Sequence, residues 1–254
     1  MCYNITVVIV STKNENVKQI KKLKGSKGLL FLDNPKLILE ACFSGFEIEW
    51  LVLKEGANFE EKNLKPKNKM IVSESVFKTI CSTVSSQGAV AVVKFDLRQF
   101  RPPSGNFLVL DCVQDPGNVG TLIRSAVAFE FNEIYLIDCA KVSNEKVARS
   151  SMGAIFKAKL FEISKQTFLN EFKGKTLLCG ELGGAPLSKQ KLGFPLGVVV
   201  GNEGSGISKE VLALGKGVEI EMSKNVESLN AGVAGSILMS YCYNKFKNLK
   251  GENR

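Results

Sequence analysis

Residues 198–207, VVVGNEGSGI, combine a run of valines with three closely spaced glycines. The valines predict a strand that is covered on both faces of a sheet. Gly201, Gly204 and Gly206 permit positive φ and let the backbone approach a ligand closely. The loop lacks a GKS or GKT ending and the GxGxxG order, and Glu203 would repel phosphate. The pattern therefore favours a cationic or hydroxyl-rich ligand.

Strands and helices alternate around this segment from residue 106 onwards. Continuously apolar strands separated by helices predict an α/β domain with a parallel sheet. The predicted strands are 107–112, 133–138, 176–180, 196–201 and 218–222, and the predicted helices are 119–129, 145–151, 167–172, 209–214 and 230–247. The last helix contains Gly232 and Gly235, each of which costs roughly 0.5–1 kcal/mol relative to Ala in a helix. Two such residues predict compensating close packing, within the domain or across a dimer.

Residues 1–98 are predicted to form a separate small α/β domain. Its predicted strands are 5–10, 47–53 and 89–93, and its predicted helices are 17–23, 35–44 and 75–82. Pro102 and Pro103 fix φ and remove two backbone donors, which breaks both periodicities. Residues 99–105 are therefore predicted to be a linker to the domain of residues 106–254.

The composition excludes several kinds of site. The chain has no histidine and seven scattered cysteines, so a Ser-His-Asp triad, a His-ligated metal site and a disulfide framework are not expected. The reducing cytoplasm is the expected compartment. No apolar run approaches the roughly 20 residues of a membrane span. A net charge of +9 favours a nucleic-acid partner, although a merely basic protein would also fit.

Two more loops follow predicted strands and carry polar side chains. In residues 115–124, DPGNVGTLIR, Asn118 is predicted to cap the helix and to share one side of it with Arg124. In residues 220–230, IEMSKNVESLN, Ser228 and Asn230 precede the last helix, where such residues usually act as caps. Ligands of open α/β sheets bind beyond the carboxyl ends of the strands, where these loops lie.

Together the three loops resemble the SpoU (TrmH-type) branch of the SPOUT superfamily, which comprises RNA 2′-O-methyltransferases that use S-adenosylmethionine. The motifs occur in order over residues 104–247: Asn118-x-Gly120-x-x-x-Arg124, then Gly201-Asn202-Glu203-Gly204-x-Gly206, then Ser228-Leu229-Asn230. Residues 13–94 more loosely resemble the L30e-like substrate-binding domain that often precedes this catalytic domain.

The resemblance implies a SPOUT-type catalytic domain with a C-terminal trefoil knot, an exception to the rule against threaded chains. It implies a catalytic set of Arg124, Asn118, Glu203, Ser228 and Asn230, and contacts to S-adenosylmethionine from Gly201, Asn202, Gly204, Ile220, Met222, Leu229 and Asn230. Methyl transfer from a sulfonium needs alignment and removal of the hydroxyl proton but no metal. Glu221 departs from the family, which commonly has proline there, and the change bears on loop rigidity and cofactor affinity.

The implied substrate is a ribose 2′-hydroxyl of RNA, with ribosomal RNA favoured over transfer RNA, and the implied assembly is a homodimer through the last helix. Candidate RNA contacts are Arg149, Lys18, Lys21, Lys22 and Lys24. Arg149 could equally be an ordinary surface arginine, and the four lysines could equally form a solvated helix face. Two alternatives remain: an inactive RNA-binding or ribosome-assembly protein of the same fold, and another nucleotide-binding α/β enzyme. The missing phosphate-loop lysine argues against the second.

Overall fold

The computed structural model describes residues 7–60, 63–81 and 87–249, which form two compact units. The first unit contains the described residues up to Asp96 together with Ser143–Arg149, and the second contains Leu97–Val142 and the described residues from Ser150 onwards. The predicted strand 5–10 and helix 75–82 lie partly outside the described residues. Within the described ranges, no helix is long and apolar enough to cross a membrane.

The first unit has a five-stranded mixed sheet in the order β1-β4-β3-β5-β2. Its elements are β1 (Val8–Ile9), α1 (Glu15–Leu23), β2 (Leu29–Leu32), α2 (Pro35–Phe43), β3 (Ile48–Lys54), β4 (Asn68–Val72), α3 (Glu74–Ile80) and β5 (Ala89–Lys94). β3 runs parallel to β4 and antiparallel to β5. The sequence predicted α1, α2, β3 and β5 but missed β2 and β4. β4 is half polar, with only Met70 and Val72 buried, which explains why its pattern was weak.

The second unit has a six-stranded sheet in the order β11-β9-β10-β6-β7-β8, and all its strand pairs are parallel. Its elements are β6 (Phe107–Asp111), α4 (Pro116–Ala128), β7 (Glu133–Ile137), α5 (Glu145–Ser151, mostly part of the first unit), β8 (Lys159–Glu162), α6 (Lys165–Glu171), β9 (Leu177–Pro186), β10 (Gly197–Val200), α7 (Lys209–Leu212), β11 (Lys216–Glu219) and α8 (Ala231–Leu249). Every residue of β6, β7 and β10 is buried. The predicted parallel sheet, covered on both faces, is confirmed.

Two strand predictions in the second unit were wrong. β8 was missed because Leu160 and Phe161 are flanked by charged residues in a strand of only four. The strand predicted at 218–222 is instead β11, which ends at Glu219. Ile220 and Met222 leave the sheet and line a pocket.

The predicted linker is held against the second unit by the buried carboxylate of Glu133. That carboxylate accepts hydrogen bonds from Arg101 Nη2 (2.8 Å), Ser104 N (2.8 Å) and Ser104 Oγ (2.9 Å). Tyr135 Oη donates to the carbonyl of Arg101 at 3.0 Å. Burial raises the pKa of Glu133, but the Ser104 bonds and the nearby cations outweigh it and lower the pKa overall. This part of the linker is therefore fixed to the sheet.

The glycines of α8 allow that helix to pack tightly inside its own domain. A Cβ at Gly235 would collide with the side chains of Leu122 and Val200. Ser236 Oγ and Ser125 Oγ are hydrogen-bonded at 2.7 Å. The close packing predicted for this helix is thus made with α4 and β10.

We expect Gly235→Leu to lower the free energy of unfolding by about 1–3 kcal/mol, because the added side chain overpacks the contact with α4 and β10. Urea denaturation measures the change. Asn244→Leu places the same side chain at an exposed position of the same helix and should stay within about 0.5 kcal/mol of wild type. Equal stability of both variants would contradict the packing described.

Candidate active site

A pocket of about 430 Å³ lies at the carboxyl ends of β10 and β11 and beside residues 180–182 of β9. Its volume is in the range of small-molecule sites, about 300–1,000 Å³. The described residues that line it are Gly180, Glu181, Leu182, Val200, Gly201, Asn202, Glu203, Gly204, Ser205, Gly206, Ile207, Val218, Ile220, Met222, Ser228, Leu229, Ala231, Ala234, Gly235 and Leu238. Segments far apart in the sequence therefore meet at one edge of the parallel sheet.

The glycine loop after β10 is closed by its own hydrogen bonds. Asn202 and Gly206 exchange two backbone hydrogen bonds of 2.9 Å. Asn202 Oδ1 accepts from Gly204 N (2.9 Å) and Ser205 N (3.0 Å), and its Nδ2 donates to the carbonyl of Cys112 at 2.9 Å. A Cβ at Gly201 would collide with the backbone of Gly206, which itself has φ 69°. The Asn202 side chain thus shapes the loop that rims the pocket.

Glu203 connects this loop to the start of α4. Its carboxylate accepts hydrogen bonds from Asn118 Nδ2 (2.9 Å), Asp115 N (3.1 Å) and Gln114 N (3.2 Å). Burial raises the pKa of Glu203, but these donors outweigh it and lower the pKa overall. The carboxylate is therefore engaged with the helix N-terminus, where the partial positive charge of the helix also favours an anion.

Asn118 does not cap α4, and that prediction was wrong. Asp115 is the N-cap, and its Oδ1 accepts from Asn118 N at 2.9 Å. Pro116 occupies the first helical turn, where its missing N–H is no loss. Asn118 consequently lies inside the helix, 8% exposed, with its side chain on Glu203. The Asp115-Pro116 pair was the start signal that the sequence prediction overlooked.

The Arg124 side chain is exposed and makes no hydrogen bond or ion pair with the described residues. It is not part of the pocket lining given above. Six residues of α-helix correspond to about 600° of rotation, so Asn118 and Arg124 lie about 120° apart around α4. Contrary to the prediction, the two residues do not share one side of the helix: Asn118 is buried against Glu203, whereas Arg124 is exposed.

The loop before α8 contributes Ile220, Met222, Ser228 and Leu229 to the pocket. Asn230 does not line the pocket. Its Oδ1 accepts from Val233 N at 3.2 Å, and its carbonyl accepts from Ala234 N at 2.9 Å. Asn230 is therefore a cap of α8, which was the ordinary alternative for such a residue.

Glu221 links the same loop to a short 3₁₀ helix, Leu187–Lys189. Its Oε2 accepts from Ser188 N at 3.3 Å, and Tyr241 Oη of α8 donates to the carbonyl of Ser188 at 3.3 Å. A carboxylate at this position thus tethers the loop through a hydrogen bond, where a proline would restrict its backbone.

The sequence prediction missed the pocket wall formed by Gly180, Glu181 and Leu182. The pairing of β9 with β11 jumps from Cys179 to Ala185 between two consecutive residues of β11. Residues 180–184 therefore bulge out of the sheet edge. Their position directly after a predicted strand, at the ligand-binding edge, was the available signal.

The charge of the lining limits which ligands fit. The described lining residues include two carboxylates, Glu181 and Glu203, and no lysine or arginine. Such a pocket suits a cationic or hydroxyl-rich ligand and disfavours a phosphate. Among the described residues, no group of three or more cysteine, aspartate or glutamate side chains could hold a metal ion.

The candidate RNA contacts lie in the first unit, and several are paired. Arg149 Nη1 lies 3.4 Å from Asp33 Oδ2 and 3.6 Å from Glu145 Oε2. Lys18 pairs with Glu15 at 2.8 Å. Lys24 Nζ lies 3.8 Å from a Glu145 carboxylate oxygen, Lys21 is half-buried and Lys22 is exposed.

The fold and pocket define an α/β protein with a glycine-rimmed site for a small, non-phosphate ligand. Residues 105–240 match the family model described as the SpoU rRNA Methylase family, and residues 14–91 match the MRM3-like substrate binding domain. The first match spans more than half of the chain. The chain belongs to the SpoU rRNA methylase family, which confirms the resemblance drawn from the three loops.

Similar proteins cover nearly the whole chain. An uncharacterized tRNA/rRNA methyltransferase of Synechocystis sp. is 32% identical over 91% of both chains. The 23S rRNA (guanosine(2553)-2′-O)-methyltransferase RlmP of Bacillus subtilis is 27% identical over 91% of this chain and 97% of its own. The AdoMet-bound rRNA methyltransferase from Sinorhizobium meliloti superposes with a TM-score of 0.82 over 94% of this chain and 98% of its own, at 21% identity, which shows a shared fold.

We expect Glu203→Gln to accelerate amide hydrogen exchange at Gln114 and Asp115 several-fold, because the neutral amide accepts more weakly than a carboxylate. Since folding lowers the pKa of Glu203, the carboxylate contributes fully above the ordinary value of about 4.3 and loses its contribution as the pH falls through the lower folded value. The difference in exchange rate between Glu203→Gln and wild type should therefore become smaller below about pH 4.

Glu210→Gln, at an exposed glutamate of α7, is the matched control and should leave exchange at residues 114 and 115 unchanged. Unaltered exchange in Glu203→Gln would refute the connection between the glycine loop and α4.

Proposed function

We propose that this chain transfers a methyl group from S-adenosylmethionine to a ribose 2′-hydroxyl of ribosomal RNA. The observation that carries the proposal is the glycine-rimmed pocket at the carboxyl edge of the sheet, which contains carboxylates but no basic side chain among its described lining residues. S-adenosylmethionine carries a sulfonium, a ribose and a base but no phosphate. The membership in the SpoU rRNA methylase family supports the same reaction.

The pocket offers each part of this cofactor a suitable surface. Gly201 and Gly204 leave backbone groups accessible because they carry no side chain. Ile220, Met222 and Leu229 supply apolar surface for a purine ring. These residues, with Asn202 shaping the loop, would hold S-adenosylmethionine when it is bound. Asn230 would contribute indirectly, by capping α8 and so positioning the neighbouring Leu229 in the pocket lining.

Arg124 is the residue we propose for the substrate side. When bound, S-adenosylmethionine supplies an electrophilic methyl group. A guanidinium stays protonated in proteins and is therefore a poor base, but it can hold an RNA phosphate and stabilise negative charge on the 2′-oxygen. The 2′-hydroxyl proton would leave to phosphate or water. Asn118, Glu203 and Ser228 would position the loops around this site.

Ribosomal RNA is the proposed substrate because RlmP is named as a 23S rRNA 2′-O-methyltransferase. Transfer RNA is the alternative, since the Synechocystis relative is named for both RNAs. We propose residues 1–98 as an L30e-like RNA-binding domain, with Lys18, Lys21, Lys22 and Lys24 as phosphate contacts, residues 99–105 as linker and residues 106–254 as the catalytic domain. Arg149 would exchange its ion pairs for RNA phosphate.

We also propose a C-terminal trefoil knot. β11 lies at the edge of the sheet, yet α8, which follows it in the chain, packs on β10 near the sheet centre and on α4. The chain therefore crosses back over the end of β9 beside the glycine loop. This path is compatible with the threading that the family resemblance implies.

The proposal predicts that Arg124→Ala abolishes methyl transfer while leaving the dissociation constant for S-adenosylmethionine within about twofold, because Arg124 lies outside the pocket lining. Radiolabelled methyl transfer to ribosomal RNA measures activity, and calorimetry measures cofactor binding. Resistance of the labelled nucleotide to alkaline cleavage identifies 2′-O-methylation. Arg98→Ala, at another exposed arginine, should retain full activity.

Retained turnover in Arg124→Ala would refute the role of this residue. Absence of wild-type cofactor binding at about 1 mM would refute the enzyme proposal and favour an inactive RNA-binding protein. Transfer to tRNA but not to ribosomal RNA would refute the choice of substrate.

We further propose a homodimer through α8. Val233 and Ile237, one turn apart, are 46% and 39% exposed on this helix. Sedimentation equilibrium should give a dimer for wild type and a monomer for Ile237→Glu, because the variant places a charge in an apolar interface. Asn244→Glu, at an exposed polar position of α8, should remain dimeric. A wild-type chain that is active as a monomer would overturn this assignment.

A further inference from the structure

Glu181 stands on the bulged segment of β9 and is exposed in the pocket wall. Residues 180–184 lie outside the β9–β11 ladder because the register jumps between Gly217 and Val218 of β11. Glu181 therefore has no partner residue in the ladder with β11. The paired residues before and after the bulge, Cys179 and Ala185, fix the ends of the segment that carries it.

The two carboxylates of the pocket lining differ in their hydrogen bonding. Glu203 receives three hydrogen bonds at the start of α4. Among the described residues, none forms a hydrogen bond or ion pair with Glu181. A pocket-lining glutamate whose carboxylate has no hydrogen-bond or ion-pair partner among the described residues is available to a ligand donor.

Gly217 of β11 makes room for this carboxylate. A Cβ at Gly217 would collide with Glu181 Oε2, so the carboxylate lies directly against the strand backbone. Gly184, on the same bulge, approaches β11 equally closely, since its Cβ would lie 2.7 Å from Gly217 C. The two glycines thus allow the wall and the carboxylate to sit close to the sheet edge.

The strand order indicates which part of a cofactor reaches Glu181. Glu181 lies on β9, the glycine loop follows β10, and α4 with Arg124 follows β6, which lies on the far side of β10. A methyl group transferred to RNA must face the Arg124 side. The sulfonium then points away from β9, and the ribose is the hydroxyl-bearing part left to face Glu181.

We propose that Glu181 is a cofactor-positioning residue whose carboxylate accepts hydrogen bonds from the ribose hydroxyls of S-adenosylmethionine. The inference rests on the proposed function. A carboxylate has two oxygens and suits a vicinal diol, and an acidic residue near a strand end binds the ribose in dinucleotide folds by the same chemistry.

Calorimetry on the full chain tests the proposal with S-adenosylmethionine, S-adenosylhomocysteine and the 2′-deoxy form of S-adenosylhomocysteine. We expect Glu181→Ala and Glu181→Gln to weaken both natural ligands by a similar factor, about tenfold, the loss of a charge-assisted hydrogen bond. The 2′-deoxy ligand should bind wild type more weakly than S-adenosylhomocysteine, and the variants should weaken its binding by a smaller factor than they weaken S-adenosylhomocysteine, because only the 3′-hydroxyl remains to donate to Glu181.

Glu219→Gln, at a glutamate of β11 outside the pocket lining, is the matched control and should bind all three ligands like wild type. A loss confined to S-adenosylmethionine would mean that Glu181 faces the sulfonium and would overturn the proposal, as would unchanged affinities or additive losses for the 2′-deoxy ligand. If wild type binds none of the ligands, the proposed function itself fails. Wild-type binding with unchanged variants removes only the role of Glu181.

Discussion

The pocket depends on the carboxylate of Glu203 at the N-terminus of α4. This one side chain accepts hydrogen bonds from the backbone N–H groups of the N-cap Asp115 and of the preceding Gln114, and also from the side-chain amide of Asn118. Because Glu203 belongs to the loop after β10, the interaction fixes that loop relative to the element that follows β6. The positions of the pocket rim and of the helix that carries Arg124 are thereby coupled.

The second constraint is the small-residue surface of α8. Gly235 lets the helix contact Leu122 of α4 and Val200 of β10, so the chain returns from the sheet edge to its centre. That return brings Ser228 and Leu229 to the same pocket as the glycine loop. Two local contacts, one electrostatic and one steric, therefore bring together segments separated by about a hundred residues in the sequence.

Local patterns in the sequence predicted the order of most elements and the loops that meet at the site. The apolar runs of β6, β7 and β10 sufficed because these strands are buried on both faces. Long-range partners were not predictable in the same way. Asn118 has a local alternative as a cap, and only the approach of Glu203 decides its role. The bulge at Glu181 depends on the register between β9 and β11, which no single-strand periodicity specifies.

Because of the bulge in β9, the residues of this strand that line the pocket are not the residues that pair with β11. Glu181 and Leu182 line the pocket but lie outside the ladder, so these two exposed side chains can change without disturbing the hydrogen bonds that join the neighbouring strands. Substitutions at these two positions can therefore alter ligand preference during evolution with little effect on the stability of the fold. An engineer seeking to accommodate a bulkier cofactor analogue would for the same reason begin at Leu182, which is 60% exposed.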